Sequence, residues 1–218
     1  MSEEASVRPF QLILAPAVIT LAVTLLRLVG ELQGWSPLLF NKEAGGGGAL
    51  VGIAWLVLVF GVWFGWKLGR AGQGPGPIGR ALGVAFLALA VMPVLGFAAT
   101  ALGVSQTSGV AFVVFVIGSI VGLLIGLRAW PALGRTLLVY AFAARVPVVL
   151  VMLLAMLGNW GTHYDAPPPG FPEMGVLAKW FAIGVIPQLT IWIWFTVVVG
   201  SLVGIVAGAI ARRGRTAA

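Results

Sequence analysis

Six stretches of this chain are almost wholly apolar, and no other feature restricts its fold as strongly. They are residues 10–30, 49–68, 81–101, 110–127, 136–157 and 176–211. The first five are each close to the roughly 20 residues that a helix needs to cross a bilayer. The sixth is much longer. In lipid, backbone N–H and C=O groups must be satisfied within the segment, which makes the helix the natural form for such runs. Transmembrane strands would alternate polar and apolar residues, and these runs do not. The chain is 60% hydrophobic and 9% charged, where a soluble domain carries roughly a quarter charged residues. We therefore expect an all-α, polytopic helical membrane bundle of about six transmembrane helices, with residues 1–218 forming a single transmembrane domain. The N-terminus, MSEEASVRPF, has acids where a secretory signal would be basic. The first run is thus expected to be a retained helix.

Lysine and arginine set the orientation. Arg8, Lys67, Arg70, Arg80, Arg128, Arg135, Arg212, Arg213 and Arg215 fall on one side, and Arg27, Lys42 and Lys179 on the other. The richer side is expected to be cytoplasmic, which puts both termini inside a bacterial-type inner membrane. The outer loops are then 32–48 and 158–178, with a short one near Ser105. The net charge of +7 is spread over helix ends with no basic face or binding motif, so nucleic acid is not an expected partner.

An internal repeat runs through the even-numbered helices. Trp55, Gly61, Gly65 and Gly69 share a spacing with Phe112, Gly118, Gly122 and Gly126, and again with Trp194, Gly200, Gly204 and Gly208. Pro93 and Pro147 hold similar places in the helices that follow. Residues 49–104 and 106–158 are therefore expected to be two copies of a helix pair. Glycines four apart make a flat face on which another helix can approach closely. By analogy with the second helix, the sixth would enter the membrane near Pro187–Gln188. Residues 176–186 are then either a separate interfacial segment or part of one long kinked helix.

Few residues in this chain can do chemistry, and the most informative is Arg145. It lies about ten residues into the fifth run, some 15 Å deep at 1.5 Å per residue. A charge there faces a bundle interior or a water cavity. No acid sits within a membrane run to pair with it, and the Ala143 carbonyl, freed by Pro147, is one candidate partner. Arg27 and Glu31, four apart, share a helix face at the outer end of the first run. The loop GNWGTHYDAPPPGFPEMG holds the only histidine, His163, followed by Tyr164 and Asp165. Its prolines stiffen it, so it reads as a cap over the outer end of the bundle. Arg145, Arg27, Glu31, His163, Tyr164, Asp165 and Gln188 form the ligand-binding candidates.

Cysteine is absent, which excludes thiolate chemistry and disulfides. There is no phosphate-binding glycine loop and no nucleophile in a recognisable setting. No catalytic residue, metal site or cofactor is assigned. Expected partners are membrane lipids and a second copy of the chain or another membrane subunit. Three functions fit these residues. The foremost is a non-enzymatic binding or transport component that handles an anionic small molecule or lipid through Arg145. The others are a scaffold subunit, and an outer-leaflet enzyme in which Glu31, His163 and Asp165 supply acid–base groups.

Overall fold

The computed structural model describes residues 9–46, 48–106 and 108–216. Arg8, Gly47 and the side chain of Arg215 lie outside that description. The chain is a helical membrane bundle, with no strand among the described residues. Five helical segments are long and apolar enough to cross a membrane, with mean hydropathy between 2.3 and 2.6. They are α1 (Pro9–Leu32), α3 (Ile78–Ala101), α4 (Gly109–Gly126), α5 (Pro131–Gly158) and a long run beginning at Val176. That run comprises α6 (Val176–Lys179), a π-helical turn (Trp180–Val185), α7 (Ile186–Leu189) and α8 (Ile191–Thr216). Large apolar side chains such as Leu14, Phe86, Phe97, Ile117 and Leu154 remain exposed on the outside of the bundle, where acyl chains are their solvent.

The expected second helix is shorter than its apolar run. It is α2 (Leu56–Arg70), with 15 residues, about 22 Å at a rise of 1.5 Å per residue against a hydrocarbon core of about 30 Å. Residues 49–55 are apolar but not helical. Positive φ at Gly45, Gly46 and Gly48 turns the chain there, and the amides of Leu50 and Val51 donate to the carbonyls of Leu38 and Leu39. Irregular backbone at this depth is tolerated only where protein or a cavity surrounds it. This segment takes the place of the N-terminal part of the α2 track and borders open space.

The long run is continuous with a bend, which settles the alternatives left by its length. It stays antiparallel to α5 throughout. Trp180 Nε1 donates to Val149 O, Gln188 meets Arg145, and Gly200, Gly204 and Gly208 face Leu137, Leu133 and Trp130. Pro187 has no N–H for the turn before it, and the widened π turn lies directly upstream. At Thr190 the backbone leaves ideal helix geometry (φ −119°, ψ −73°), and both its N–H and its hydroxyl donate to Ile186 O.

The axis of the bundle is α8, which packs on α2, α3, α4 and α5. Against α2 it is in glycine-to-glycine contact. A Cβ on Gly61 would lie 2.7 Å from Gly200 O, one on Gly69 would lie 2.9 Å from Gly208 Cα, and one on Gly65 would overlap the Gly204 backbone. Lipid gives no hydrophobic drive for helices to associate, so close van der Waals contact carries this pairing. The α4 glycines are used differently. Gly122 seats against Ala88 O and the Trp194 indole, and Gly126 against Val198.

Candidate functional site

The site begins on the inner face of α1. Thr20, Thr24, Arg27 and Glu31 follow one another at intervals of four, three and four, which stacks them along one stripe. All four are buried. In a membrane helix the expected buried face is apolar or small, so this polar stripe needs partners inside the protein. The Thr24 hydroxyl donates to Thr20 O at 3.0 Å, and the Thr20 hydroxyl donates to Pro16 O at 2.8 Å. A hydroxyl has one proton. The Tyr140 hydroxyl, 2.8 Å from Thr20 Oγ1, is thus the donor in that pair.

At the outer end of the stripe, Glu31 is fully buried. Its Oε1 accepts from Arg27 Nε at 2.8 Å and meets His163 Nδ1 at 2.6 Å, and its Oε2 accepts from His163 N at 2.8 Å. Arg27 Nη2 also donates to the carbonyls of Asn41 and Gly46. One ion pair therefore fastens the 32–48 loop and the loop that carries His163 to α1. The cap loop runs from Asn159 to Gly175, and left-handed backbone at Asn159 (φ 48°) and Gly161 (φ 63°) turns it back over the bundle. Tyr164 points down from it, its hydroxyl donating to Thr24 O at 3.2 Å. Its ring centroid lies 3.8 Å from that of His163.

The expected grouping of His163, Tyr164 and Asp165 does not converge. The Asp165 carboxylate accepts from Gly161 N, Thr162 N and the Thr162 hydroxyl, at 2.7–2.9 Å. It shapes the loop and does not orient the histidine, because neighbours in a tight turn point apart. The carboxylate that does orient His163 is Glu31, 132 residues away. Burial pushes the His163 pKa below its ordinary value. The hydrogen bond to Glu31 opposes that shift and the Arg27 charge adds to it. Burial likewise raises the Tyr164 pKa, and its phenol stays protonated.

Beneath the cap is a cavity of about 890 Å³, in the size range of small-molecule sites. Arg27, His163 and Tyr164 line its mouth, and the 45–55 segment lines one side where α2 is absent. Arg145, Gln188 and Trp192 line its depth. Glu31 and Asp165 do not line it.

Arg145 is 4% exposed. Its Nη1 donates to Gln188 Oε1 at 3.3 Å, and its guanidinium carbon lies 4.5 Å above the Trp192 ring. Its Nε is buried with no hydrogen-bond partner. The Ala143 carbonyl is not used. No carboxylate pairs with this charge among the described residues. A desolvated cation–π contact offsets about 2 kcal/mol, against a penalty of several kcal/mol for a buried ion. A charge deficit therefore remains at the base of the cavity.

The surrounding groups have one polarity. A guanidinium offers only N–H groups, so Gln188 must turn its oxygen toward it and its NH₂ away. That NH₂ donates to no described residue. Cation and amide NH₂ are both donors, and what satisfies such a set is an anion.

Sequence reasoning reached Arg145, Gln188, Arg27, His163 and Tyr164, which line one cavity, and Glu31, which lies behind its wall and holds Arg27 and His163. It missed Trp192, Tyr140, Thr20 and Thr24. The 20/24/27/31 spacing was the available signal for the last two. Among the described residues no three of histidine, aspartate and glutamate gather in one place. No family model matches the chain, and no curated protein or solved structure is significantly similar to it.

Proposed function

We propose that this protein is a binding or transport component that admits an anionic amphipathic molecule from the outer side of the membrane and holds its charged end at Arg145. The observation that carries this reading is a guanidinium without a carboxylate partner among the described residues, beside the unused NH₂ of Gln188 on the wall of an apolar cavity. A scaffold would close helices over such a charge. Here the outer half of α2 is replaced by a loop, and the space stays open.

The preponderance of lysine and arginine on one side supports an inner-membrane protein with both termini in the cytoplasm. The cavity then faces outward. The two glycine-bearing helix pairs, 49–104 and 106–158, are proposed copies of one ancestral hairpin, and membrane lipid is the proposed source of the ligand.

The test uses the full-length protein in nanodiscs, with decanoate and decanol as probes in calorimetric titration. Wild type binds decanoate in preference to decanol. Arg145→Leu abolishes that preference while retaining helicity and a monodisperse elution profile, since a buried unpaired charge contributes little to folding. Normal discrimination by Arg145→Leu would refute the reading.

One observation favours a second reading, an outer-leaflet enzyme: Glu31 holds His163 in the geometry of an acid–base pair. Against it, the Ser108 and Thr24 hydroxyls on the cavity wall donate to the carbonyls of Ser105 and Thr20. Neither is hydrogen-bonded to the histidine.

A further inference from the structure

The mouth of the cavity carries a second set of unused polar groups, unlike the set at its base. Arg27 and His163 meet on the same oxygen of Glu31, and both line the cavity. A carboxylate only accepts, so the imidazole proton sits on Nδ1. Nε2 is then a bare acceptor, and it accepts from no described residue. Burial favours the neutral ring, in which Nε2 carries no proton. Arg27 commits Nε to Glu31 and Nη2 to the carbonyls of Asn41 and Gly46, while Nη1 donates to no described residue. Nη1 lies against Gly52, where an added Cβ would come within 3.1 Å of it. The mouth thus presents one acceptor and one donor, both anchored on one carboxylate.

Few groups match both. A hydroxyl donates to Nε2 and accepts from Nη1. An ammonium has no lone pair for Nη1 and faces a guanidinium, and a carboxylate has no proton for Nε2. We infer that the ligand is an anionic amphipath with a hydroxyl at the end remote from its charge, the anion held at Arg145 and Gln188 and the hydroxyl between His163 and Arg27. This rests on the anion-binding reading above. The axial separation suits a chain of medium length. Tyr164 shares a buried cluster with Val148 and Met152, which stand three and seven residues beyond Arg145 along α5, about 5–10 Å at the helical rise.

Decanoate, 10-hydroxydecanoate and 10-aminodecanoate are titrated calorimetrically into the full-length protein in nanodiscs. The expected result is that 10-hydroxydecanoate binds about tenfold more tightly than decanoate, and 10-aminodecanoate no more tightly than decanoate. His163→Asn keeps an amide N–H for Glu31 in place of Nδ1 and removes Nε2. It is expected to abolish the hydroxyl preference, read as the ratio of the 10-hydroxydecanoate and decanoate affinities in the same variant. Equal binding of the first two probes to wild type, a preference that survives His163→Asn, or tightest binding of the amino acid overturns this inference. Loss of all decanoate binding in wild type, or decanoate binding that Arg145→Leu leaves intact, overturns the anion reading instead.

Discussion

Replacing Glu31 by glutamine should release the cap, and the size of the effect can be worked out from the contacts. The carboxylate accepts three hydrogen bonds: Arg27 Nε at 2.8 Å, His163 N at 2.8 Å and His163 Nδ1 at 2.6 Å. Glutamine supplies one oxygen. Its NH₂ would face at least one of these donors, and the Arg27 guanidinium would lose its counter-charge while still buried. Removing one partner of a buried ion pair costs about 3–5 kcal/mol. If that loss falls on cap closure, the open population rises by roughly 10²- to 4 × 10³-fold, at tenfold per 1.4 kcal/mol. Amide hydrogen exchange reads this directly. The His163 N–H is protected only by Glu31, so it and its loop neighbours should exchange faster by that factor, with the α5 and α8 amides unchanged. Exchange at His163 that stays within threefold of wild type in Glu31→Gln would refute the claim that this carboxylate holds the loop.

Three further outcomes follow from the same geometry. Cap stability should fall with acid. His163 has a folded pKa below its ordinary value, so the opened loop binds a proton first and stability drops as the pH falls from about 6.5; exchange at Thr162 and His163 measured from pH 7.5 to 5 checks this, and a flat profile would contradict it. Gly65→Leu should disrupt α2–α8 pairing by about 1–3 kcal/mol or more, since any Cβ overlaps the Gly204 backbone; unfolding in a detergent titration measures it, with Gly83→Ala as control, an exposed helical position where an added Cβ meets nothing within 4 Å. Trp192→Leu should remove the cation–π contact, worth about 2 kcal/mol for a desolvated pair, and lower the retained helicity or thermal midpoint of the protein, whereas Trp192→Phe should restore most of it.

Hydropathy made the helices legible because membrane insertion is decided locally. A run such as 136–157 satisfies its own backbone and turns apolar side chains to lipid, whatever surrounds it. The same reasoning overextended α2. Residues 49–55 are as apolar as any helix, yet their amides find the carbonyls of Leu38 and Leu39 instead, in a loop whose earlier carbonyls are tied to Arg27. Nothing within residues 49–55 announces that competition. The glycine spacing marked α2 and α8 as capable of close approach, but did not show that α4 would receive Trp194 in place of a glycine face.

The candidate site divides in the same way. Arg145 and the Arg27/Glu31 pair stood out by themselves, because a charge in an apolar run is anomalous wherever it points. Asp165 looked equivalent to them and is not, since three short contacts within its own turn consume it. The relations that make a site are long-range: Glu31 with His163 across 132 residues, Arg145 with Gln188 across 43. By itself, then, the amino-acid order determined which segments live in lipid and which few residues are costly to place there. Only the tertiary structure decided which of those residues satisfy one another and which remain unsatisfied around a shared cavity. Solvation in hydrocarbon is a property of each segment alone, whereas pairing depends on which distant side chain arrives opposite.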